Sequence, residues 1–249
     1  MSIKFSFSED RFDLQKLRLP SRHYYFDESE NYIKLLNIGE GIFPKDRIKT
    51  SFSLENSDLV ITTESATKIY PSKKEFGINS ININLENSNL EVINDELILY
   101  KDSRYIQTFR LNFDENSTFF YIDILSSGRS FENFDFSKMF IKNSFYENRV
   151  LEYLEKFEIE GNELKEYIQR KSSSKKLFAK VYIKTKNNEY FLNKLHQEKF
   201  QSFTYSRDKK IIIGVQSSDS MNELKKEIFR VWELYRKELN KKKFTLGKQ

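Results

Sequence analysis

The sequence predicts a mainly β protein of stacked strands, β-helical or solenoid-like in its winding. A few α-helices complete it, including a C-terminal amphipathic one. Three observations carry this. Four acidic Asn/Ser clusters, Phe26-Asp-Glu-Ser29, Leu54-Glu-Asn-Ser57, Leu85-Glu-Asn-Ser88 and Phe113-Asp-Glu-Asn-Ser117, each separate two apolar runs, and their serines stand 28, 31 and 29 residues apart. A period of about 30 residues built of strand, turn and strand suits a stack in which each unit buries its face on the next. Second, the runs between the clusters alternate apolar and polar residues with period two. Third, Met221, Leu224, Ile228, Val231, Trp232, Tyr235 and Leu239 recur every three or four residues and form one apolar stripe on a helix.

The elements follow in order. Ile81, Ile83 and Leu85 alternate with Asn82 and Asn84, giving one apolar and one wet face. Tyr105, Gln107, Phe109, Leu111 and Phe113 share one side of the next strand. Phe119 to Leu125 is almost wholly apolar and reads as a central strand, so its Asp123 needs a partner, because a lone buried carboxylate is costly. Arg149 to Ile159 fits both periodicities, and a turn at Glu147-Asn148 favours a strand. Leu177 to Lys184 reads as a strand, Glu189 to Lys199 as a helix and Lys209 to Val215 as a strand. Ser220, with Glu223 three residues on, forms the capping box of the last helix. Asn and Asp must make most turns, since the chain has only seven Gly and three Pro. Lys171-Ser-Ser-Ser-Lys-Lys176 reads as a long loop within one domain spanning residues 1–249, with a basic tail from about residue 240.

Composition narrows the function. With 23 Phe, 14 Tyr and one Trp, a sizeable core is available despite 32% charged residues. No apolar run approaches the ~20 residues needed to span a bilayer. Residues 1–7 lack the pattern of a signal peptide, and the chain has no Cys, so a cytoplasmic location away from membranes is expected. The net charge is +5, and the stretch from Arg236 to Gln249 carries six basic residues against Glu238 alone. That concentration in one tail predicts a solvated terminus rather than a nucleic-acid face, which needs basic and aromatic residues interleaved.

Catalytic motifs are missing. The sequence holds neither a Gly-x-Ser-x-Gly elbow nor a phosphate-binding loop. The two histidines, His23 and His196, lie far apart; His23 reads as structural and His196 as exposed on the polar side of a short helix. No tight metal site and no tightly bound cofactor are expected, and the chain reads as a binding scaffold rather than an enzyme. A β-solenoid interaction module of another pathway remains open, as does a carbohydrate-cleaving β-helix, whose two carboxylates would meet only in the fold.

The segment Ile61-Thr-Thr-Glu-Ser-Ala-Thr-Lys-Ile-Tyr-Pro-Ser72 resembles the Thr-Thr-rich signature of the UreD/UreH urease accessory family, matching at Thr62, Thr63, Ala66, Thr67 and Lys68. Four more stretches resemble that family in the same order. They are Gly39 to Asp46, in which Gly41 and Asp46 match; Leu90 to Tyr100; the strand from Tyr121 that ends in Gly128-Arg129; and Val231 to Arg236, whose Trp232 and Arg236 keep a W-x-x-x-R spacing. Pro44 and Lys45 replace a glycine pair of the family, which argues against a close backbone approach in that loop. The resemblance spans about residues 15 to 240 and implies a non-catalytic chaperone in a hetero-oligomeric complex. Its partners would be UreF, the GTPase UreG and apo-urease, and nickel would travel along a water-filled route inside the protein. On that reading Glu64 and Asp123 line the path, where oxygen ligands hold Ni²⁺ weakly. On a purely structural reading Glu64 pairs with Lys68 at the surface, Asp123 forms a buried pair with Arg129, Asp46 bonds its own turn, and Trp232 packs in the core.

Overall fold

The computed structural model describes residues 1–36, 41–171 and 175–247. Strands β1 (Ser2–Ser8) and β2 (Arg11–Arg18) form one antiparallel hairpin, and β3 (Arg22–Phe26) and β4 (Tyr32–Leu36) a second. The chain then winds in parallel coils. β5 (Arg47–Glu55) leads to β6 (Asp58–Thr63) and the short β7 (Thr67–Ile69). β8 (Gly77–Glu86) leads to β9 (Asn89–Ile93) and β10 (Leu97–Leu99), and β11 (Arg104–Phe113) leads to β12 (Thr118–Ser126). β13 (Lys138–Glu147) and β14 (Val150–Ile159) close this part as an antiparallel hairpin. The remainder is α1 (Gly161–Arg170), β15 (Leu177–Lys184), α2 (Asn188–Gln197), β16 (Phe203–Tyr205), β17 (Ile212–Ser218) and α3 (Met221–Glu238). The first sheet runs β14-β13-β11-β8-β5-β1-β2. The second runs β16-β17-β15-β12-β9-β6-β4-β3, with β7 and β10 pairing alongside. The protein is therefore mainly β, with the stacked-coil winding expected from the sequence.

The repeated serines stack at one corner of the coils. The Ser57 amide donates to Ser88 Oγ (3.1 Å) and the Ser88 amide to Ser117 Oγ (3.1 Å). Each coil thereby presents a hydroxyl to the backbone of the coil before it. Asn56 and Asn87 turn the chain with φ of 45° each, and Asn87 Nδ2 donates to Asn56 Oδ1 at 2.7 Å. Asp114 ends the ladder by accepting from the amides of Asn87 (2.9 Å) and Ser117 (2.8 Å). Ser29 does not belong to it. The Phe26 to Ser29 cluster lies at the antiparallel β3–β4 turn, and the ladder starts instead at Asp10, whose amide donates to Ser57 Oγ. Acidic Asn/Ser clusters serve hairpin and coil corner alike, so spacing alone could not separate the two.

Three apolar cores result. One lies between the sheets near the serine corner, around Phe52, Leu85, Phe109 and Phe119. A second lies between them at the opposite end, around Ile69, Leu99, Tyr105 and Met139. The third covers the outer face of the second sheet, where α2 and α3 pack on Phe120, Val181 and Ile183. Helix α3 buries Leu224, Ile228, Val231, Trp232 and Tyr235, the stripe read from the sequence. Ser220 caps it by accepting from the Glu223 amide, but Glu223 bonds Ser218 rather than the cap backbone, so only half of the expected box forms. Helix α1 is an element that periodicity did not single out. Residues 172–174 of the predicted long loop lie outside the described residues. Among the described residues no helix is long and apolar enough to cross a membrane.

Up to Gly247 the C-terminal segment is tied to the body of the protein rather than solvated throughout. Tyr32 Oη donates to the Leu246 carbonyl (2.7 Å) and Lys34 Nζ to the Gly247 carbonyl (3.1 Å). Phe244 and Leu246 pack on the third core. Part of its charge is met locally: Lys241 faces Glu30, Asp58 and Glu91, and the exposed Lys243 meets Glu233. His196 is tied in as well, its Nε2 lying 3.0 Å from the Phe203 carbonyl. His23 packs edge-on against Phe5 with ring centroids 4.9 Å apart.

Candidate functional site

Polar side chains interrupt the inward faces of both sheets at one level. Along β11 the buried residues read Tyr105, Gln107, Phe109, Leu111, Phe113, and Gln107 falls between two of the apolar cores. Its register partner on β8 is Asn79, and Thr50 of β5 and Asp123 of β12 face the same space. Together with Tyr105, Thr63 and Asp95 they line a cavity of about 100 Å³ between the sheets. At roughly 30 Å³ per liquid water, that is room for a few water molecules.

Asp123 is the deepest charged group of this belt. Gln107 Nε2 donates to its two oxygens (3.2 and 3.3 Å) and Asn143 Nδ2 donates at 3.1 Å. Burial pushes its carboxyl above the ordinary range. The Tyr121 hydroxyl and the Asn143 and Gln107 amides offset only part of that, and nearby Glu155 adds to the rise. From Asn143 the polar chain continues to the Tyr182 hydroxyl (3.1 Å), and Tyr182 donates to Glu155 (2.6 Å). Arg129 is not the partner of Asp123. It follows the strand in a surface turn, with a side chain 56% exposed, pairs with Glu132 and lies 3.7 Å over the Tyr100 ring. The strand period that placed the two on one face ends at Ser126, and Gly128 at φ 123° turns the chain away.

The Thr-Thr segment builds one wall of the cavity. Residues 64–66 interrupt the β6–β7 side of one coil, and residues 94–96 interrupt the β9–β10 side of the next. Thr62 Oγ1 donates to the Ile93 carbonyl (2.5 Å), Thr63 Oγ1 accepts from the Asp95 amide (2.9 Å), and the Thr67 amide donates to the Glu96 carbonyl (2.9 Å). The hydroxyls hold the two interruptions in register as a seam in the second sheet. Glu64 and Ala66 lie on the outer side of this seam, in a groove beneath α3 with Asp95, Glu96 and Lys225. Glu64 pairs with Lys34 at 3.4 Å, not with Lys68. Lys68 instead offers its backbone to the Gly41 loop: the Ile42 amide donates to the Lys68 carbonyl at 2.8 Å.

That contact is a close backbone approach, contrary to the expectation drawn from Pro44 and Lys45. Gly41 has φ 156°, and a Cβ there would sit 2.2 Å from the Lys68 carbonyl oxygen. Gly41→Ala is therefore expected to lower stability by about 2–3 kcal/mol through strain and overlap, measured by urea denaturation. Asp46 bonds its own turn, accepting from the Phe43 amide at 2.9 Å.

Trp232 and Arg236 lie on the far side of the second sheet, and both address Glu91. This carboxylate is fully buried, as is Arg236. Trp232 Nε1 donates to Glu91 Oε2 at 2.5 Å, Arg236 at 2.7 Å, and Lys241 Nζ reaches Oε1 at 3.2 Å. Arg236 also bonds Glu30 and the Lys242 carbonyl. Four residues of separation place Trp232 and Arg236 on one helical face, so the W-x-x-x-R spacing is that of two donors to one buried acceptor. Trp232 does pack in the core, as expected, and is also polar-bound. Sequence reasoning missed Glu91, although a carboxylate within the otherwise apolar run Leu90-Glu-Val-Ile93 was the available signal. It also missed Asn143, Asp95 and Lys225. Among the described residues no three His, Cys, Asp or Glu side chains converge as a metal-holding group.

A stacked-coil β scaffold with a polar belt enclosed between two apolar cores is the architecture that the chain presents. A family model described as UreD urease accessory protein matches residues 13–247, and the chain belongs to that family. Among its relatives, the urease accessory protein UreD of Aliarcobacter butzleri (strain RM4018) is 71% identical over 250 residues, covering 100% of both chains. The UreD of Bacillus sp. (strain TB-90) is 34% identical over 110 residues, 43% of this chain and 41% of that protein. The UreD of Staphylococcus aureus (strain bovine RF122 / ET3-1) is 29% identical over 154 residues, 59% of this chain and 55% of that protein.

Proposed function

We propose that this chain is a non-catalytic scaffold of urease maturation that passes Ni²⁺ through the cavity between its sheets, in complex with UreF, UreG and apo-urease in the cytoplasm. The observation that carries the reading is the polar belt of Asn79, Gln107, Asp123 and Thr63 set between two apolar cores. These groups bond one another in part, and the cavity that they enclose has room for water or cargo to meet the rest. Its ligating groups are hydroxyls, amides and the carboxylates of Asp95 and Asp123. Nickel prefers nitrogen and thiolate in tight sites, so this lining holds the ion loosely and lets it leave. Family membership supports the urease pathway. Co-expression of the chain with UreF, UreG and urease subunits from one genome tests the reading. The expected outcome is co-purification and nickel-dependent urease activity that is lost when the chain is omitted. Full activity without the chain would refute it.

A further inference from the structure

The seam leaves a gap in the hydrogen-bonded ladder of the second sheet. β12 pairs with β9 from Thr118 to Ile122 and resumes with β10 at Leu125. Asp123 and Ile124 thus have no ladder partner on that side, opposite residues 94–96. The gap is also where the two spaces meet, because Asn94, Asp95 and Ile124 line both the interior cavity and the groove beneath α3. One side chain stands over it. Lys225, from the first half of α3, places Nζ 3.0 Å from Asp95 and 3.0 Å from Glu96. Its flanks on the helix, Ile228 and Phe229, line the same groove.

We propose that Lys225 is a charged stopper over an aperture between the interior cavity and the α3 groove, and that a cation crosses there by taking over its carboxylate partners. The geometry makes the ammonium the counter-ion of the mouth. It neutralises the Asp95–Glu96 pair, fills the approach and repels other cations, while a divalent ion satisfies the same two carboxylates once the lysine swings into the groove. The gap lies in the backbone ladder, so opening it costs no strand hydrogen bond and moves only a flexible side chain. The inference rests on the cavity being a passage, as proposed above. Its test reads access rather than nickel, so its failure leaves the accessory role standing.

The chain has no Cys, so one engineered thiol reports without background. Thr50→Cys places a thiol on the cavity wall in the first sheet, away from the groove. Labelling by a cationic and by an anionic methanethiosulfonate is followed by the mass of this chain, purified full-length. Removing a fixed charge from a narrow mouth is expected to raise the cationic rate by about tenfold in Lys225→Ala, with Lys225→Arg staying near the parent. An unchanged cationic rate in Lys225→Ala overturns the proposal. So does an equal rise for both reagents, which reports a loosened fold rather than a charge-guarded opening.

Discussion

Asp123→Asn is expected to leave the fold and its partner complex intact while cutting urease activation by about tenfold, the scale on which removing one polar group from a metal's surroundings acts. The structure removes one of the two roles open for this residue in the sequence, the pair with Arg129. Were Asp123 paired with Arg129, removing its charge would strand a buried guanidinium and destabilise the protein; Arg129 is instead at the surface. The carboxylate is held by neutral amides and raised in pKa by burial. The sign of its pH effect follows. A folded-state pKa above the unfolded value means that ionising Asp123 costs stability. The wild type should therefore lose stability as pH rises from the unfolded value through the raised folded one, and Asp123→Asn should lack that loss. At neutral pH the variant should melt at or slightly above the parent temperature. A marked fall in melting temperature would return Asp123 to a structural role, and unchanged activation would remove it from the passage.

The opposite result is expected at Glu91. Glu91→Gln leaves Arg236 buried beside a neutral amide and weakens the acceptor of Trp232 and Lys241. Removing one partner of a buried ion pair costs about 3–5 kcal/mol, which corresponds to a melting-temperature drop of roughly 10 °C in a chain of this size. Burial alone would discharge Lys241, but Glu91, Asp58 and Glu30 hold it charged and raise its pKa. A double-mutant cycle of Glu91→Gln with Arg236→Met should show coupling above about 1 kcal/mol, since the two share one network. Additive effects would mean that the carboxylate and the guanidinium are held independently.

These two sites mark how far the sequence could be read. Strand positions, the α3 stripe and the coil period were legible because backbone geometry imposes them within a few residues. The seam was legible in part: the Thr62 to Lys68 segment stood out, but its hydroxyls bond Ile93 and Asp95 of the next coil, partners set only by stacking. The Asp123–Arg129 pair failed because a glycine turn ended the strand between them. The basic tail misled because charge composition says nothing of counter-charges at Glu30, Asp58 and Glu91, which arrive from the β3–β4 turn and from two successive coils. Gln107 sat in plain view as a polar residue on an apolar face, and it does mark the cavity.

The Glu91 cluster also sets an order of events in synthesis. Arg236 is 145 residues beyond Glu91, and Lys241 is 150 beyond it. At about 5–20 residues per second, the carboxylate waits roughly 7 to 30 s after translation for its cations. Through that interval the parallel coils can stack from the N-terminus, yet the outer face of the second sheet lacks its helical cover. The nascent chain thus carries an uncompensated acid in the middle of an open apolar surface. Arrival of α3, rather than collapse of the coils, is the step that completes the cluster, and a chain shortened before Arg236 would remain in the earlier state.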